Sequence, residues 1–305
     1  MKVLITGGAG YIGTVLTWQL SECSEISKIL VYDNLSKGHH NFFMGERYPN
    51  AKIKFIEGEI LDSRRLKKYI KDCDVVVHLA AKVTTPFSNT DPHFFEQVNH
   101  WGTAEVVYAA EESDISKFIY LSSTTVYGAG KEIATEDTHP NPRTFYGISK
   151  MRGEEHVDRL KAIKNAIALR GGNVYGPSRS MRFDAVINKF MFEANFNNRI
   201  QIFGSGKQSR AFIHVDYLVE CIRNTIINEV PSGTYNVVDK NLQILDIVDV
   251  LKELYPNLEF MFTNQHMKLR ELRVDPASRL FDYIPRWQDK DFSSEIAAFK
   301  DRFAF

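Results

Sequence analysis

Val3-Leu4-Ile5-Thr6 runs straight into Gly7-Gly8-Ala9-Gly10-Tyr11-Ile12-Gly13, and the reading of this stretch decides the fold. It is an apolar strand that breaks into a glycine turn. Behind it Ile12, Val15, Leu16 and Leu20 recur at helical spacing, so the turn lies between a buried strand and an amphipathic helix. Such a turn can hold a pyrophosphate: Gly7 permits the tight bend, Gly10 the close approach of backbone to phosphate, and Gly13 the contact of helix with strand. Glycines at this spacing also close ordinary strand-to-helix turns, so context has to decide. A second apolar strand, Ile29 to Tyr32, ends on Asp33, twenty residues past Gly13. A carboxylate there accepts both ribose hydroxyls and repels a 2′-phosphate, which predicts NAD rather than NADP.

Working outward, strand-like runs alternate with helical patterns at Ile53 to Ile56, Val75 to Leu79, Phe118 to Leu121 and Ala166 to Leu169. That alternation predicts an α/β fold, a doubly wound parallel sheet with a smaller mixed α/β substrate-binding part. Ligands of such sheets collect beyond the carboxyl ends of the strands, so the residues just after each strand are the candidates. They are Asn34 after the second strand, Glu59 and Ile60 after the third, and Leu79, Ala80, Ala81 and Lys82 after the fourth. Glu59 is placed to meet an adenine amino group, or else is a solvated loop acid. Asn99, at the start of a helical stretch to Glu112, either braces strand ends at the site or starts the helix. His78 reads as a hydrogen-bonded structural histidine, and His39-His40 lacks a third ligand, so no metal site is expected.

After the fifth strand comes a hydroxyl cluster, Ser122-Ser123-Thr124-Thr125, suited to a polyol. Tyr146 and Lys150 then fall at i and i+4 of a helix running to about Leu160, roughly 6 Å apart along its axis. An ammonium so placed is expected to favour the phenolate and make the tyrosine a base.

Composition sets bounds. The 305 residues suffice for one large domain or two, and 38 basic residues balance 38 acidic ones, so no net field favours nucleic acid or an anionic membrane. Cys23, Cys73 and Cys221 follow no ligand spacing and suit a reducing, cytoplasmic setting. No run reaches membrane-spanning length and no signal-peptide pattern precedes the first strand.

These motifs together, with Asn173-Val-Tyr-Gly-Pro177, resemble those of an extended short-chain dehydrogenase/reductase of the nucleotide-sugar epimerase and dehydratase family. The likeness covers nearly the whole chain. It implies that Ser123 works with Tyr146 and Lys150 in catalysis, and that Lys150 also reaches the nicotinamide ribose. It implies a nucleotide-diphosphate sugar held by Thr84, Ser123, Thr124, Thr125, Asn173 and Arg210, with a second cation drawn from Lys268, Arg270 or Arg273, Arg270 foremost. It implies a homodimer formed by the helix after Asn99 and the helix bearing Tyr146.

The cofactor domain is expected over 1–172 with a return segment at about 212–238, and the substrate domain over the rest of 173–305. Gly171-Gly172 stands where the family often carries bulkier residues, which suggests room made for something. Dehydratases of the family usually carry an acid just before the Val-Tyr-Gly, where this chain has Thr125, with Thr124 beside it. The expected activity is therefore 4-epimerisation by transient oxidation at C4. The alternatives are a 4-keto reductase, a dehydrogenase, a dehydratase, or an NAD-binding regulator or scaffold.

Overall fold

The computed structural model describes residues 1–49, 52–83, 91–130, 132–264 and 271–304. The expected strand, β1 (Lys2–Thr6), leads through the glycine turn into α1 (Tyr11–Glu22), and β2 (Lys28–Asp33) follows. Then come β3 (Ile53–Glu57), α2 (Ser63–Ile70), β4 (Val75–His78), α3 (Pro92–Phe95), α4 (Gly102–Glu111), β5 (Lys117–Ser123), β6 (Ile133–Ala134) and α5 (Phe145–Leu160). The second half holds β7 (Asn165–Gly171), β8 (Asn173–Tyr175), α6 (Val186–Asn197), β9 (Arg199–Phe203), β10 (Ser209–His214) and α7 (Val215–Ile227). It closes with β11 (Gly233–Val237), β12 (Lys240–Gln243), α8 (Ile244–Leu254), β13 (Glu259–Thr263), β14 (Arg273–Val274) and α9 (Phe292–Lys300).

Seven strands form one parallel sheet in the order β11-β7-β5-β4-β1-β2-β3. The order reverses between β1 and β4, and the glycine turn leaves the sheet at that switch point, where open sheets of this kind take ligands. Both faces are covered, so the central strands are apolar throughout rather than alternating. Val3, Ile5, Val31 and Val77 pack with α1 and α7 on one face, while Leu4, Val76, Phe118 and Tyr120 pack with α2, α4 and α5 on the other.

The return to the sheet is narrower than the sequence suggests. β10 belongs to a separate three-stranded sheet, β12-β10-β8, and only α7 and β11 rejoin the large one. The third core gathers α6, α8 and α9 around Tyr175 and Phe212.

Two further expectations need correction. The helix expected from Asn99 starts earlier: α3 runs on through a π-helical turn over Glu96–Trp101 into α4, so Asn99 lies inside it. The space expected at Gly171-Gly172 is filled by protein: a Cβ on Gly171 would touch Leu121 and Leu218, and one on Gly172 would press on the β10 backbone at 3.1 Å.

Glycine is demanded sharply at Gly13, where a Cβ would come within 2.5 Å of both the Gly7 carbonyl oxygen and the Gly8 Cα. Both are backbone atoms and cannot swing aside. Gly13→Ala is therefore expected to cost about 1–3 kcal/mol, as overpacking does. Gly130→Ala, with nothing within 4 Å, is expected to stay within about 0.5 kcal/mol of the parent. Urea unfolding of the two variants checks the contrast, and equal midpoints would contradict it.

Candidate active site

The glycine turn is built by hydrogen bonds to its neighbours. Gly7 N donates to Tyr32 O at 2.8 Å, and Ala9 N donates to Asp33 Oδ2 at 3.0 Å. Leu35 N donates to Asp33 Oδ1 at 2.8 Å, so both oxygens of this carboxylate are fixed at the end of β2. Burial raises the Asp33 pKa, and the two backbone donors oppose that rise. Gly7 has φ +71°, and a Cβ there would strike the backbone of Ala80 at 2.6 Å. α1 has Gly10 at its N-cap, with no side-chain cap and no acid in its first turn, which leaves its N-terminal dipole open to an anion. Glycine cradle, free helix end and a carboxylate at the end of β2 fit a dinucleotide.

A cleft of about 370 Å³ runs along these strand ends. It is lined by Gly7, Gly10, Tyr11, Ile12, Gly13, Asp33, Asn34, Glu59, Ile60, Leu79, Ala80, Ala81 and Lys82, which are all the expected cofactor residues outside the Tyr146 helix save Asn99. Glu59 is engaged locally: Asn34 Nδ2 donates to its Oε2 at 2.6 Å and Ile60 N to its Oε1 at 2.8 Å. Asn99 stands behind the cleft wall and braces it. Its Oδ1 accepts from Lys82 N at 2.7 Å, and its Nδ2 donates to Lys82 O at 2.9 Å and to Ser149 Oγ at 3.0 Å. His78 is wholly buried and bonded at both ring nitrogens, to Thr6 Oγ1 at 2.6 Å and Thr103 Oγ1 at 3.0 Å, and burial lowers its pKa to about 3.

α5 begins where Thr144 Oγ1 accepts from Gly147 N at 3.0 Å, after the breakers Pro140 and Pro142, and this cap sets Tyr146 in the first turn. Ser123 ends β5, and its Oγ accepts from Thr125 N at 3.3 Å and Thr125 Oγ1 at 3.0 Å. The Tyr146 residue is half-buried, and burial raises its pKa, with Arg182 and Ser123 opposing the rise. The Lys150 ammonium is itself buried, 4.4 Å from the centre of the Tyr120 ring, and burial lowers its pKa to about 7 against the support of Glu154.

Asn173 and Arg210 lie on neighbouring strands of the three-stranded sheet. Asn173 Nδ2 donates to Ala211 O at 2.9 Å. The Arg210 guanidinium is desolvated, and burial alone lowers its pKa. Thr124 is buried and Thr125 half-buried beside Ser123. Thr84, Lys268 and Arg270 lie outside the described residues, and Arg273 is in β14 with its Nε 3.5 Å from Glu271.

The sequence reading missed the far wall of the cleft. Met181, Arg182, Phe183 and Asp184, from the loop between β8 and α6, line it together with Lys37 and Phe94. The loop has no periodicity to betray it; the one signal was its position just after Asn173-Val-Tyr-Gly-Pro177.

Fold and cleft define a dinucleotide-binding α/β enzyme. The sequence profile of the NAD dependent epimerase/dehydratase family matches residues 3–237, and the chain belongs to that family, with NAD as its cofactor. A Methanocaldococcus jannaschii protein provisionally named a UDP-glucose 4-epimerase is 34% identical over 82% of this chain and 81% of its own. Human dTDP-D-glucose 4,6-dehydratase is 31% identical over 83% of this chain and 73% of its own. Among solved structures, UDP-glucuronic acid 4-epimerase from Bacillus cereus, in complex with UDP-glucuronic acid and NAD, superposes with TM-score 0.87. It is 25% identical over 99% of this chain and 98% of that one. Among the described residues no helix is long and apolar enough to cross a membrane.

The Lys150 shift carries a pH signature. Its pKa is about 7 in the folded protein against an ordinary 10.5. Between those values the unfolded chain holds a proton that the folded one has lost, so this group makes stability rise with pH across the window. Lys150→Met should therefore be most stabilising, relative to the parent, below pH 7, and that advantage should shrink toward pH 10. Urea midpoints of both proteins across the range measure it, and a pH-independent difference would contradict the shift.

Proposed function

We propose that the protein is an NAD-dependent 4-epimerase of a nucleotide-diphosphate sugar. The observation that carries this reading is the set of groups around Ser123: hydroxyls of Ser123, Thr124, Thr125 and Tyr146, with the nearby buried acid already engaged. Glu154 Oε1 accepts from Ser122 Oγ at 2.5 Å, and both its oxygens accept from Arg170, at 3.0 and 2.7 Å. An elimination needs an acid or base free to act at a second carbon. Epimerisation at C4 needs one group that takes a proton from one oxygen and returns it.

NAD supplies the hydride acceptor at C4 and, on the return leg, the donor. Tyr146 takes the C4 hydroxyl proton and gives it back after the 4-keto sugar has turned. Ser123 holds the reacting oxygen, and Lys150 supplies charge one helical turn behind. Arg210 and Asn173 bind the diphosphate, for which a desolvated guanidinium fork is well suited.

Removing these groups should split the kinetic constants. Tyr146→Phe should lower kcat by roughly 10²–10⁴ with KM little changed. Arg210→Ala should raise KM roughly 10–100-fold, the scale of a lost charged hydrogen bond, with NAD affinity intact. UDP-glucose, UDP-glucuronic acid and dTDP-glucose are the probes. Deuterium at C4 of the turned-over sugar should stay in the product; its transfer to added NAD would indicate a dehydrogenase, and a 4-keto-6-deoxy product a dehydratase.

The assembly proposed is a homodimer through α4 and α5. It is supported by Trp101, 54% exposed at the start of α4, and by the face it shares with Tyr108, His156 and Arg159. Light scattering at micromolar concentration should give twice the chain mass, and Trp101→Glu should halve it. A monomer for the parent protein would rule the dimer out.

A further inference from the structure

The segment after β8 is laced down one face of the cofactor helix as a strap. Tyr11, Thr14 and Trp18 share that face of α1, at i, i+3 and i+7. The Tyr11 hydroxyl donates to Gly176 O at 2.7 Å, Ser178 Oγ donates to Tyr11 O at 2.7 Å, and Thr14 Oγ1 lies 2.9 Å from Ser178 Oγ. The Arg179 guanidinium comes next, 5.3 Å from the centre of the Trp18 ring. Beyond it the strap returns to the cleft, which Met181, Arg182, Phe183 and Asp184 line.

Arg179 also grips the loop that follows β2. Its Nη2 donates to Glu46 O at 2.9 Å, its own carbonyl accepts from Asn41 Nδ2 at 3.3 Å, and its guanidinium lies 4.9 Å from the centre of the Tyr48 ring. The Trp18 and Tyr48 ring centres are 5.5 Å apart, so one guanidinium is within cation–π range of two neighbouring rings, one from the helix and one from the loop. The near end of the same loop lines the cleft through Ser36, Lys37 and His39. Strap and loop thus both border the cavity that holds the glycine turn and Asp33, and Arg179 joins them outside it, since neither Arg179 nor its partners line the cleft.

We propose that Arg179 is the latch of a cofactor gate: strap and loop must part for NAD to enter or leave, and Arg179 holds them together. Such a latch keeps the reduced cofactor in place while a keto sugar turns. Arg179 is a positioning residue here, acting through the two segments it joins. The proposal rests on NAD as the cofactor. Its test needs no sugar, so it can fail while the 4-epimerase reading stands.

A latch made of contacts within the protein sets the barrier in both directions, whereas a residue that helps hold the cofactor slows its escape alone. NADH fluorescence reports both rates in the full chain: mixing gives association, and a chase of bound NADH with excess NAD gives release. Arg179→Ala should speed release about tenfold, the scale of two cation–π contacts and a charged hydrogen bond. Association should quicken by a similar factor, so that Kd stays within about threefold of the parent's. Tyr48→Leu removes one partner of the same guanidinium; it should speed release by less, and should add little to Arg179→Ala. A lowered Tm with unchanged release would make Arg179 merely structural and overturn the proposal. Faster release with unchanged association would overturn it too, because Arg179 would then belong to the binding site itself. Effects of the two substitutions that multiply in full would also refute a shared latch. Should Arg179→Ala fail to fold, Arg179→Lys keeps the charge and loses the planar fork. It should quicken both rates several-fold, and rates equal to the parent's would sink the proposal.

Discussion

The buried ion pair of Glu154 and Arg170 is the constraint on which the catalytic end depends. The two side chains are 5% and 7% exposed, and the fork is bidentate. Glu154 belongs to the helix that carries Tyr146 and Lys150, while Arg170 ends the strand next to the one that carries Ser123. Ser122 bonds the same carboxylate. Arg170 in turn lies 4.8 Å from the centre of the Tyr127 ring, and the Tyr127 hydroxyl donates to Asn236 of β11 at 2.7 Å. Helix, two adjacent strands and the returning strand are thus pinned at one point. Breaking such a pair leaves a lone buried charge, at a cost of about 3–5 kcal/mol, so the distance from Ser123 to Tyr146 is not free to drift.

The same carboxylate has an electrostatic effect one turn away. Lys150 loses solvation in its place against Tyr120, and Glu154 is the one charge that supports its protonated form. Spacing puts Tyr146 and Lys150 on one helix face, while packing decides how far the Lys150 ammonium is desolvated, and burial lowers its pKa.

That contrast explains what the sequence disclosed and what it withheld. The turn, Asp33 and the strand-end residues were legible because they follow local rules: a strand must stop, a glycine must turn, and a parallel sheet presents its carboxyl ends on one side. Asn99 was half legible, since its type suggested a brace while its partners, Lys82 and Ser149, are set by packing. Arg182 and Asp184 were hidden because their loop is tied to the cofactor turn by a residue more than a hundred positions away in the chain, Tyr11, which bonds Gly176 and Ser178. The narrower return segment has a similar cause. β10 reads as a strand by its apolar residues, yet its neighbours are β8 and β12, and pairing cannot be read from one strand alone.

A chain with no net charge can still present a polar cleft, because charge is sorted by strand end. The acids Asp33 and Glu59 follow β2 and β3, each held by backbone amides. Burial lowers the Lys37 pKa, as do Lys82 and Arg182, with Asp184 opposing. These three cations, from three segments, line the cleft together with Asp33, Glu59 and Asp184. A dinucleotide offers ribose hydroxyls, which donate to carboxylates, and a diphosphate, which needs cations and a helix N-terminus. Because a dinucleotide carries its diphosphate between two ribosides, the strand-end acids suit a ribose while the glycine turn with its open helix end suits the diphosphate.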